Sequence, residues 1–140
     1  MSFDSRERAI LGRLADVLIP AGNGFPSASE ANVAGPWLDE VLTARPDLAA
    51  GLKDLVAKVG ESESTWAVAE LRASDAAAFG VLAEFAAGAY FMNPDVLRAI
   101  GYAGQDARPI DPRPDYLDEG LLQSVIDRGP IYRPTPGDKG

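Results

Sequence analysis

Apolar positions along the chain recur with the period of a helix. Between residues 4 and 18, Ile10, Leu11, Leu14, Val17 and Leu18 share one face, while Arg6, Glu7, Arg13 and Asp16 fall elsewhere on the wheel. This predicts an amphipathic first helix. Pro20 disfavours helical geometry at Ile19, and Gly22, Gly24 and Pro26 follow within a few residues, so residues 20–27 read as an ordered turn or loop. Ser27 or Ser29 is placed to cap what comes next. A second helical pattern carries Ala31, Val33, Ala34, Trp37, Leu38, Val41 and Leu42, with Pro36 splitting off a short first turn. A third spans 46–59 through Leu48, Leu52, Leu55, Val56 and Val59 and stops at Gly60. A fourth covers 65–72. A fifth follows a Ser74 cap, and its segment "DAAAFGVLAEFAAGAYFM" is apolar nearly all round, as expected of the central, most buried helix. Asn93-Pro94-Asp95 restarts a helix that Gly101 ends.

Beyond residue 102 the pattern changes. Six of the eleven prolines lie in 103–140, which excludes one long helix. The same stretch holds Tyr116, Leu117, Leu121, Leu122, Val125, Ile126, Ile131 and Tyr132, whereas disordered linkers are poor in such residues. The expected architecture is therefore all-α: a bundle of about five helices over 1–102 and an extended Pro-rich C-terminal arm over 103–140, with one or two short helical turns, lying on its own domain or on a partner.

Composition narrows the chemistry. The 140 residues include no Cys and no His, which removes thiolates, the usual proton shuttle and the commonest metal ligands. An enzyme made from this chain alone would have to work with Tyr, Lys, Arg and carboxylates. The net charge of −8 opposes binding to nucleic acid and to anionic lipid, and no apolar run approaches the ~20 residues of a membrane span. Neither nucleic acid nor membrane insertion is expected. The "GNGFPS" stretch lacks the preceding strand and the third glycine of a dinucleotide-binding loop and reads as a structural turn. The carboxylate pairs Asp39/Glu40, Glu61/Glu63 and Asp118/Glu119 read as solvated faces. Trp37, Trp66, Phe79 and Phe85 read mostly as core, and Tyr90-Phe91, at the end of the buried helix, stands out as a pair with one ring turned outward. No catalytic, cofactor-binding or metal-ligating residue is assigned.

Three stretches together, "LADVLIP", "SASEANVAGPWLDEVL" and "FAAGAYFMNPDVLRAIGYAG", resemble the gluconate 2-dehydrogenase subunit 3 family over roughly residues 11–104. The resemblance implies a small, non-catalytic subunit that assists the folding, export or stability of a large FAD-dependent sugar or polyol oxidoreductase subunit of the glucose-methanol-choline type. FAD is then expected in the partner and no cofactor in this chain. The expected partner contacts are Tyr90, Phe91, Tyr116, Leu121, Leu122, Ile131, Tyr132 and Arg133, with Pro130-Ile131-Tyr132-Arg133 as a terminal anchor. Many members of that family begin with a twin-arginine signal; here Glu7 separates Arg6 from Arg8. The expectation is cytoplasmic, or periplasmic where the chain is co-exported with a partner or is a trimmed mature form. Two alternatives of other classes stand beside this one: a free-standing small enzyme using Tyr, Arg and carboxylates, and a helical interaction module unrelated to redox chemistry.

Overall fold

The computed structural model describes residues 2–105 and 119–131. Among them are seven helices and no strand beyond an isolated bridge between Gly22 and Phe25: α1 (Ser5–Leu18), α2 (Pro36–Ala44), α3 (Leu48–Val59), α4 (Ser64–Ser74), α5 (Ala76–Met92), α6 (Pro94–Ala99) and α7 (Gln123–Arg128). The fold is all-α. The chain divides into two compact units, Met1–Gly104 and Gln105–Gly140; α1 to α6 build the first and α7 lies in the second.

α5 organises the first unit. It touches α1, α2, α3, α4 and α6, and it buries Leu82, Phe85, Ala86, Ala89 and Tyr90. A helix so placed must be apolar on several faces, which is why its sequence lacks a polar side. Against it lie Leu11 and Leu14 of α1, Leu38 of α2 and Leu52 and Leu55 of α3, all at most 1% exposed. Each such side chain contributes roughly 1.5–3 kcal/mol by leaving water. Gly51 permits the approach of α3 to α5, since a Cβ there would stand 3.1 Å from the Val81 side chain.

Local chemistry sets the helix boundaries. α1 opens with a capping box: the Asp4 carboxylate accepts from the Glu7 amide, and the Glu7 carboxylate accepts from the Asp4 amide, both at 2.8 Å. Glu63 caps α4 by accepting from the Thr65 and Trp66 amides. The cap of α5 is Asp75, which accepts from Ala78 N–H, and not the expected Ser74, whose hydroxyl donates back to the Glu70 carbonyl in the last turn of α4. Asn93 caps α6 as expected, accepting from the Asp95 amide. α2 starts at Pro36, so Ala31, Val33 and Ala34 before it belong to turns rather than to a first helical turn.

Candidate partner-binding surface

Residues 19–35, between α1 and α2, form a folded insert held from both sides. At its tip Gly22 and Phe25 exchange backbone hydrogen bonds of 3.1 and 2.9 Å around Asn23 (φ 51°) and Gly24 (φ 84°). Positive φ at both central residues is the signature of a type I′ turn, for which Asn-Gly is the favoured pair. The Ala28 amide then donates to the Ile19 carbonyl at 3.0 Å and closes the loop. Ser27 and Glu30 form a second capping box, and Ala28, Ala31 and Val33 enter the core at 0–2% exposure. From α1, Asp16 accepts from the Ser29 amide at 2.7 Å. Arg8 donates to the carbonyls of Phe3, Ala34 and Gly35 and to the Asp39 carboxylate.

From α5 and the junction to α6 come two residues of the third stretch that carries the family resemblance. Tyr90 donates its hydroxyl proton to the Pro26 carbonyl at 2.7 Å, and Asn93, while capping α6, donates from Nδ2 to the Ala31 carbonyl at 2.9 Å. Burial pushes the Tyr90 phenol above its ordinary value, with the Glu30 carboxylate adding to the effect, so the group stays protonated and acts as a donor. The "LIP" break, the glycine turn and the Tyr-x-x-Asn-Pro stretch are thus parts of one joint. Among the described residues, no buried side-chain polar atom lacks a hydrogen-bond partner.

The structure separates the two rings of the expected aromatic pair. Tyr90 is 5% exposed and belongs to the core, whereas its neighbour faces outward. Phe91 is 52% exposed and meets the Tyr90 ring edge-on, with centroids 5.5 Å apart. Phe25, exposed at the turn, adjoins the Pro26 carbonyl that Tyr90 holds, so the Tyr90 side chain links two outward phenylalanines. Phe25 was hidden in the sequence by its glycine and proline neighbours, although a phenylalanine in such a loop is itself a signal. Met92, Ile100 and Tyr102 add exposed apolar surface at the end of α5 and after α6. In the second unit Leu121, Val125, Ile126 and Ile131 are exposed and Leu122 is partly covered. Tyr116, Tyr132 and Arg133 lie outside the described residues.

Several of the remaining polar candidates hold the helices together. Asp39 pairs with Arg8, Glu61 with Arg6 and Arg13, and Glu63 caps α4. Lys53 contacts Glu7 at 2.6 Å and stands 4.5 Å over the Phe3 ring, which ties α3 to the start of the chain. No cluster of three or more Asp or Glu suited to a metal ion occurs among the described residues, and no described helix is long and apolar enough to cross a membrane. Comparison of the chain with family models, with curated proteins and with solved structures finds no match in any of the three.

Proposed function

We propose that this chain is a non-catalytic small subunit that stabilises or chaperones a large FAD-dependent sugar or polyol oxidoreductase subunit. One observation carries the reading: the motif residues most open to a chemical interpretation, Tyr90 and Asn93, direct their polar atoms to the backbone of residues 26–31, while Phe25 and Phe91 beside them remain outward. Such a joint fixes a surface without performing a reaction. Exposed aromatic side chains on a rigid frame are the kind of anchor that protein interfaces use. The apolar side chains of α7 and Ile131 give the second unit the same character, and the proposal extends the partner contact to Leu121, Leu122 and Ile131 and onward to Tyr132 and Arg133.

The test is co-purification of the tagged full chain from its native background, followed by an absorbance scan for flavin. The expected result is a stoichiometric complex with a large flavoprotein, flavin spectra in the complex and none in the partner-free chain. Sugar turnover or stoichiometric flavin in the chain alone would overturn the reading in favour of the free-standing enzyme.

A further inference from the structure

On α4, Val68, Ala69 and Arg72 lie three and four residues apart and so share one face. That face forms one wall of a groove of about 560 Å³, whose other walls are Val17 and Leu18 at the end of α1 and Phe79 near the start of α5. The lining is apolar apart from Arg72 and a threonine, and Ala69 and Arg72 are exposed.

Charge singles out Arg72. Eight cations lie between residues 2 and 104, and seven have a carboxylate of the same unit within 4.0 Å: Glu61 for Arg6 and Arg13, Asp39 for Arg8, Asp47 and Glu84 for Arg45, Glu7 for Lys53, Asp75 for Lys58, and Asp95 for Arg98. Arg72 is the exception among the described residues of this unit. In a chain of net charge −8, the one guanidinium that no described carboxylate of its unit pairs with sits at the edge of an apolar groove.

We propose that this groove receives an apolar, helix-forming segment of the large subunit, with a carboxylate of that segment closing on Arg72; the inference rests on the accessory-subunit reading above. A helix offers apolar side chains at the three- and four-residue spacing that such a trough fits. The acidic surroundings repel a carboxylate elsewhere on the bundle, so Arg72 sets the register of docking, and its planar fork suits a carboxylate. A second copy of this chain is disfavoured because it brings the same negative charge. A small molecule is disfavoured because the groove lies open, whereas small-ligand sites enclose most of their ligand.

The experiment places the photo-crosslinking residue p-benzoylphenylalanine at Ala69 in the full chain co-expressed with the flavoprotein that co-purifies with it. Arg72→Glu and Arg72→Lys are measured for affinity in parallel. The expected result is an adduct with the large subunit, an affinity about tenfold or more weaker for Arg72→Glu, and retention of most affinity by Arg72→Lys. Because Arg72 has no partner within the bundle, both variants should keep the parent's circular dichroism and melting temperature. An adduct between two copies of this chain, no adduct within an intact complex, or unchanged affinity of Arg72→Glu would each overturn the groove assignment and leave the accessory-subunit reading standing. Absence of any flavoprotein complex removes both.

Discussion

At the scale of single residues, the first unit is knit by a few side chains that reach far along the chain. Tyr90→Phe removes the hydroxyl that satisfies the Pro26 carbonyl, and thermal or urea unfolding should show a loss of about 1 kcal/mol. Asn93→Ala loses both a helix cap and the bond to Ala31, and a larger loss of about 2–3 kcal/mol is expected. At the turn, Gly24→Ala forces a Cβ into positive φ and should lower stability by about 1 kcal/mol, while Gly22→Ala, whose Cβ would meet nothing within 4 Å and whose φ is not in that range, should leave melting unchanged. Equal effects of the two glycine changes would contradict the turn geometry. The sequence made the break at Pro20 legible because Pro and Gly act on their own backbone. It did not show that Tyr90 points inward, because adjacent residues on a helix differ by about 100° in direction and a segment apolar on all sides gives no phase.

At the scale of elements, carboxylates at helix starts govern the response to acid. Glu63 is held below its ordinary value of 4.5 by the amides of Trp66 and Thr65; Glu7 is lowered from the same value, chiefly by Lys53 and then by the Asp4 amide; Asp75 is lowered from 3.8, first by Lys58 and then by the Ala78 amide. A folded-state value below the unfolded one means that the stabilisation is fully present above the unfolded value and disappears as pH falls through the folded one. Melting temperature should therefore be level from neutrality to about pH 5 and fall below it. Glu63→Gln should melt lower than the parent at neutral pH and lose less on acidification, a difference read from parallel melts across that range. Helix existence was readable throughout the first unit from apolar spacing, but the caps were readable only in part: Asn93 caps α6 as expected, and Ser74 does not cap α5. Ser74 and Asp75 are both good capping residues, and the choice fell to the one that also meets Lys58 of α3.

At the scale of the whole molecule, the bundle over residues 1–104 closes its core with its own helices, while much of the apolar surface of α7 stays exposed. A chain truncated after Gly104 should keep its helical circular dichroism and its melting transition while losing co-purification with the large subunit. Unfolding of the truncated chain would show that residues 1–104 do not suffice for the fold. The change of pattern beyond residue 102 was read from six prolines, the first at Pro109, that follow a run of clean helical periods. The groove beside Arg72 was not, because nothing in a linear sequence reports which of eight cations finds a carboxylate in space. The central position of α5 also has a consequence for synthesis. The chain leaves the ribosome from its N-terminus, so α1 to α4 emerge before the helix that most of them pack against, and the core around Phe85 cannot close until the residues up to Met92 are free. Until then Leu11, Leu38 and Leu52 lack their main cover. The nascent chain therefore leaves these core leucines uncovered during most of its translation, until α5 is released.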